Sequence, residues 1–186
     1  MAGSSENADR YRRISGAFTA RVEAVPAAAW DAPAPPEGWV ARDVVRHLVE
    51  WIPGFFTGSG LDLPDGSSLV DDDPAAAWRQ LDHALQAALD DPAVSEHQFE
   101  MRGDILRIGD AVDQFCTGDV LVHTWDLARA TGQDETLDAE EVHRQYEGML
   151  PYDEALRASG HYGPAVPVPD DADEQTKLIA FLGRTP

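Results

Sequence analysis

Four long stretches of this chain repeat apolar residues at three- and four-residue spacing, and runs rich in proline, glycine or aspartate separate each stretch from the next. That period belongs to helices with one buried face, and the breaks stop any helix from continuing into its neighbour. No stretch alternates strongly enough to build a sheet. The pattern therefore predicts an all-α protein, an antiparallel four-helix bundle with additional short helices and an extended C-terminal segment.

The first helix is expected over residues 6–25, where Tyr11, Ile14, Phe18 and Val22 share a face. Asp31-Ala32-Pro33-Ala34-Pro35-Pro36-Glu37-Gly38 follows as a connection that cannot be helical throughout. The second helix, 41–56, has a wide apolar stripe of Val44, Val45, Leu48, Trp51, Ile52 and Phe55, the mark of an element packed on more than one side. Residues 57–72 read as a long loop, of a length that compact domains keep for function or mobility. Asp73-Pro74 sets an N-cap acceptor before a proline at the first helical position, starting a helix that stops near Asp91-Pro92. Residues 98–108, around Arg102-Gly103-Asp104, form either a small hairpin or an irregular loop. The longest helical pattern spans 110–131 and closes at Gly132, a natural C-cap. A helix over 138–158 carries a kink at Pro151, residues 160–171 are extended, and a short helix over 172–182 ends at Gly183.

With 186 residues, 43% of them hydrophobic, the chain is long enough to bury a core as a single domain over 1–186. Its 34 acidic residues against 14 basic ones give a net charge of −20, which repels nucleic acid and anionic membranes alike. Cys116 is the only cysteine, so there is no disulfide framework. The start, Met1-Ala2-Gly3-Ser4-Ser5-Glu6-Asn7, lacks the basic and apolar regions of a signal peptide, and no window is apolar enough to span a membrane. A cytoplasmic protein, monomer or homodimer, is expected.

The run from Asp119 to Gly132 places a polar stripe on an otherwise apolar helix. Asp119 and His123 are four residues apart and point the same way, with Asp126 three residues further along. A carboxylate and an imidazole so placed either chelate one divalent cation, such as zinc, nickel, iron or manganese, or share a plain hydrogen bond. His47 lies mid-helix beside apolar residues; it is a satisfied core histidine unless its helix faces the later one. Cys116, one turn before Asp119, either touches the site or is a small buried residue, the second being the commoner state of a free cysteine. Glu50 and Asp126 are spare ligands, partners that orient an imidazole, or solvated charges. His83, His97, His143 and His161 have no convergent partner in the sequence. Arg46 and Arg129 either pair with nearby acids or meet an anionic substrate.

Gly38-Trp39-Val40-Ala41-Arg42-Asp43-Val44-Val45-Arg46-His47-Leu48 and the Asp119 to Gly132 run resemble the DinB-like metal-binding superfamily. They are most similar to its actinobacterial branch, which includes mycothiol-dependent maleylpyruvate isomerase. The ending Leu178-Ile179-Ala180-Phe181-Leu182-Gly183-Arg184-Thr185-Pro186 is similar to that of an uncharacterised metal-binding subgroup of the same branch. The resemblance implies a bundle with a metal near one end, zinc before the other candidates, held by His47, Asp119 and His123. In the isomerase the later pair is Glu-x-x-x-His and in many members His-x-x-x-His, so this chain holds a carboxylate one methylene shorter. The implied activity is a metal-dependent thiol transferase or isomerase acting on a small molecule, with mycothiol as cosubstrate and the metal generating a thiolate. A non-catalytic metal or small-ligand binding module, or a hydrolase activating water, uses the same residues.

Overall fold

The computed structural model describes residues 4–101, 103–158 and 163–186. Residues 1–3, Arg102, Gly160 and His161, named above, lie outside them. The described residues are mainly helical, with one small two-stranded sheet.

Helix α1, Ser4–Ala24, buries Tyr11, Ile14, Phe18 and Val22 as their spacing predicts. The proline-rich connection carries a short 3-10 turn, Ala27–Ala29, and closes through a bridge between Pro33 and Val40. Helix α2, Ala41–Phe55, begins where the Asp43 carboxylate accepts the Val40 N–H at 3.0 Å. Residues 57–72 form a loop with turns at each end, pinned to the bundle. Leu63 and Val70 are buried, the Arg46 guanidinium bonds Asp71 at 2.6 Å, and that of Arg42 bonds the Asp71 carbonyl at 3.0 Å. Gly66 sits so close to α2 that a Cβ there would lie 3.2 Å from that of Val49.

Helix α3, Pro74–Asp90, starts with the Asp73 carboxylate accepting the Ala76 N–H at 2.8 Å. Asp91-Pro92 ends α3 and, by the same capping chemistry, starts a further turn, α4, Pro92–Ser95; Asp91 accepts the Ala93 N–H at 2.9 Å. The alternative left open over 98–108 resolves as a hairpin. Strands β1, Gln98–Met101, and β2, Asp104–Arg107, pair antiparallel with Gln98 opposite Arg107. Gly103 supplies the left-handed backbone of the turn, φ +92°.

The long pattern over 110–131 is helical, but not uniformly α. It comprises α5, Ile108–Ala111, a wide π turn, Val112–Cys116, and α6, Thr117–Thr131. The Thr117 hydroxyl donates to the Val112 carbonyl at 3.2 Å inside that turn. Gly132, φ +69°, closes α6 as expected. The expected helix over 138–158 is divided by Pro151: α7, Ala139–Met149, passes through a 3-10 turn, Leu150–Tyr152, into α8, Asp153–Ala158. Helix α9, Glu174–Phe181, is capped by Asp173.

Helix α1 packs on α3 and α6, α2 packs on the same two, and α9 pairs with α7. Leu48, Ile52, Trp78, Leu81, Leu85 and Leu127 fill the space between the four long helices. The rings of Phe18 and Trp78 meet edge-on at 4.7 Å, and the indole N–H of Trp78 donates to Thr19 at 2.8 Å, which satisfies its one polar atom. Among the described residues no helix is long and apolar enough to cross a membrane.

Candidate metal centre

Packing of α2 on α6 brings the three sequence candidates together. On α2 the stripe of Val44, Val45, Leu48, Val49 and Ile52 is wholly buried, and His47 sits half-buried at its edge. On α6 every residue from 120 to 128 is buried, whereas Asp119, one position before that run, keeps 28% of its side-chain surface open. The site therefore forms at the margin of the core, where polar atoms still reach solvent. His47 Nε2 lies 3.2 Å from Asp119 Oδ2, and His123 Nε2 lies 3.5 Å from Asp119 Oδ1. One ligand atom from each of the three falls within 4.8 Å of the other two. Asp119 thus offers one oxygen to each imidazole.

His47 and Trp51 are four residues apart on α2 and share its face. The Trp51 indole N–H donates to Asp119 Oδ2 at 2.8 Å. Trp39, just before α2, stacks along His123, with ring centroids 5.9 Å apart and planes at 16°, and also approaches His47 at 5.3 Å. Two indoles thus border the cluster, which stays partly open to solvent at His47 and Asp119.

Behind the cluster, His123 Nδ1 lies 2.9 Å from Asp126 Oδ2. Asp126 is fully buried and receives the Arg184 guanidinium as a fork, Nε to Oδ1 at 2.9 Å and Nη2 to Oδ2 at 2.7 Å. An ionised carboxylate only accepts, so the proton on this contact belongs to His123 Nδ1, and Nε2 is turned toward Asp119. Of the three roles open to Asp126 in the sequence, the geometry selects that of orienting the imidazole.

Electrostatics favour charge here despite the burial. For Asp119, burial pushes the carboxyl up, but the charge of His123 and the hydrogen bonds from His47 and Trp51 outweigh it and hold it below the usual carboxylate range. Asp126 is likewise held low, burial being overcome by His123 and Arg184. Burial pushes the His123 imidazolium down, yet Asp119 and Asp126 on its two sides raise it above the ordinary histidine value.

The remaining candidates stand elsewhere. Cys116 is fully buried, and burial, helped by the charge of Asp119, pushes its thiol well up, which makes it an inert core residue. Glu50, His83 and His97 are exposed. His143, without a partner in the sequence, pairs with Glu174 at 3.0 Å across α7 and α9. Arg46 and Arg129 pair with acids, Arg46 with Asp71 at 2.6 Å and Arg129 with Glu135 at 2.8 Å, and Arg129 also covers the Trp125 ring. Trp39, Trp51 and Arg184 were not foreseen as parts of the site. The i, i+4 spacing from His47 pointed to Trp51, while nothing local marks the other two.

Two imidazole nitrogens and one carboxylate oxygen that converge in this way, with one imidazole tied back to a second carboxylate, match the donor chemistry of zinc and neighbouring transition ions. Three protein donors leave further coordination positions open to small ligands.

A family model described as the mycothiol maleylpyruvate isomerase N-terminal domain matches residues 11–56, a stretch that includes His47 and stops short of Asp119 and His123. Two proteins from strains of Mycobacterium tuberculosis, each described only as uncharacterised, are 32% identical to this chain over 187 residues, 94% of this chain and 96% of their own length. No solved structure matches the chain.

Proposed function

The chain belongs to the DinB-like family that includes the mycothiol maleylpyruvate isomerase N-terminal domain, and from that membership we propose that it holds a divalent cation, zinc first, on His47, Asp119 and His123. The observation that carries this reading is the convergence of the three ligand atoms within 4.8 Å. Asp119, although one methylene shorter than glutamate, already lies 3.2 Å from one imidazole nitrogen and 3.5 Å from the other. Those distances support a direct role for Asp119 as a ligand.

The activity proposed is transfer or isomerisation with a low-molecular-weight thiol of the mycothiol type. A cation in this site supplies a Lewis acid that favours the thiolate form of a bound thiol at neutral pH. The chain's own residues do the rest. Asp126 holds the His123 Nδ1 proton and keeps Nε2 aimed into the site; Trp51 fixes the carboxylate; Trp39 and Trp51 pack against the imidazoles. Cys116, buried with a raised pKa, is no rival nucleophile. The acidic surface suits a small-molecule substrate rather than nucleic acid, and a thiol cosubstrate suits a reducing compartment such as the cytoplasm.

The test begins with elemental analysis of the purified chain and thermal melting with zinc and with chelator. A ligand bound only by the folded state raises stability, by about 4 kcal/mol at a thousandfold excess over its Kd. Stoichiometric metal and a zinc-dependent melting shift, both lost in His123→Ala, are expected. No metal and no shift would overturn the reading. Thiol consumption with a panel of electrophiles, abolished by chelation, is the enzymatic arm; metal uptake without turnover would replace the transferase reading with a binding module.

A further inference from the structure

We propose that Arg184 is a positioning residue for the candidate metal centre, setting the direction of His123 through Asp126. The inference rests on the metal reading above and adds to it a remote determinant near the C-terminal end of the described chain.

The placement of Arg184 follows from how α9 stops. Gly183 adopts φ +83°, the left-handed conformation that ends helices. Its N–H bonds the Ala180 carbonyl at 3.0 Å, and the Arg184 N–H bonds the Ile179 carbonyl at 3.1 Å. Those two bonds are the paired closure of a Schellman motif, which reverses the chain in a fixed geometry. Arg184 therefore leaves α9 in a defined direction and reaches α6, 58 residues away in sequence, at Asp126. Its Nη1 also donates to the Leu182 carbonyl at 3.3 Å, holding the guanidinium plane to its own turn.

At Asp126 the guanidinium engages both oxygens, so the carboxylate cannot rotate without breaking a bond. Oδ2 is shared: it accepts from Arg184 at 2.7 Å and faces His123 Nδ1 at 2.9 Å. Fixing that oxygen fixes the orientation of the ring, with Nδ1 toward Asp126 and Nε2 toward Asp119. Lysine at 184 can place a charge there but cannot form the fork. A carboxylate this deeply buried needs its hydrogen bonds satisfied, and Arg184 donates to both of its oxygens.

The experiment measures zinc affinity by competition with a chelating dye for the full chain and for Arg184→Gln, Arg184→Lys, Asp126→Asn and the Arg184→Gln/Asp126→Asn double variant. Melting of the metal-free proteins is recorded alongside. Loss of a partner that orients a metal-bound imidazole weakens affinity roughly 10- to 100-fold. Arg184→Gln is expected in that range, Arg184→Lys between it and the native chain, and the double variant no weaker than Asp126→Asn alone. Nitrogen NMR of the metal-free native chain, at a pH high enough for the ring to be neutral, should show the His123 proton on Nδ1, with a mixed tautomer in Arg184→Gln. An affinity within twofold of native in Arg184→Gln, or additive losses in the double variant, overturns the proposal. If Arg184→Gln does not fold, Arg184→Lys decides it on the same affinity scale. A native chain that takes up no zinc defeats the metal reading itself, a result distinct from either of those.

Discussion

Trp51 and Asp119 are joined by a 2.8 Å hydrogen bond from the indole nitrogen to Oδ2, the same oxygen that faces His47. A neutral donor thus holds the carboxylate between two imidazoles. Trp51→Phe keeps the ring and removes only the N–H. It should lower metal-free stability by about 1 kcal/mol, the scale of a partly exposed bond to a charged group. Urea denaturation of the chelated protein measures this, and an unchanged midpoint would show that the bond does not hold Asp119.

His123 gives the site its pH dependence. Burial depresses its imidazolium, but Asp119 and Asp126 raise it further, so its folded-state value lies above the unfolded value of about 6.5. In the metal-free protein that protonation contributes stability fully present below the unfolded value, and it is lost as pH rises through the raised folded value. A cation needs the ring's Nε2 free, so the metal competes with this proton. The chelated protein should melt lower as pH rises from neutral into the alkaline range, while the stabilisation conferred by zinc grows over the same interval. Melting curves across pH, with and without zinc, check both slopes. A zinc effect independent of pH would contradict the assignment of His123.

Two arginines on the same helix should behave unlike each other. Arg10 donates from Nε to Glu141 at 2.7 Å and from Nη1 to the Asp113 carbonyl at 2.8 Å, and it also pairs with the Asp113 carboxylate. Glu141 is buried. Arg10→Ala strands that carboxylate and should cost about 3 kcal/mol. Arg12 lies at the surface with Asp9 and Asp90, and Arg12→Ala should leave the denaturation midpoint within error.

Gly183 and Gly132 both end helices at positive φ, +83° and +69°. A Cβ on Gly132 meets open space, whereas one on Gly183 would lie 3.3 Å from the Pro164 carbonyl. Gly132→Ala should therefore cost only the conformational strain, about 1 kcal/mol. Gly183→Ala should cost more, and thermal melting of the two variants side by side reveals the difference.

Much of the bundle is legible in the sequence because its cause is local. Tyr11, Ile14, Phe18 and Val22 declare a buried face, and Asp73-Pro74 declares a helix start. Asp119 and His123 are readable for the same reason, four residues on one helix. His47 is not readable that way: its partner lies 72 residues on, and only resemblance linked the two. Arg184 and Trp39 act across tertiary gaps that no spacing encodes. The π turn also escaped, because one added residue in a helix leaves the apolar rhythm on either side intact. His143 has no partner legible in the sequence because Glu174 meets it only when α9 folds onto α7.

The wide turn at Val112–Cys116 has a consequence for how this chain can change. A helix advances about 100° per residue, so one surplus residue turns everything before it by that angle relative to everything after. The hairpin-bearing end and the ligand-bearing end of the segment are thereby given separate azimuths. Lengthening or reshaping the hairpin need not disturb the direction of Asp119 and His123. Deleting one residue from the turn would instead force a choice, with either the hairpin or the two ligands left facing the wrong neighbour.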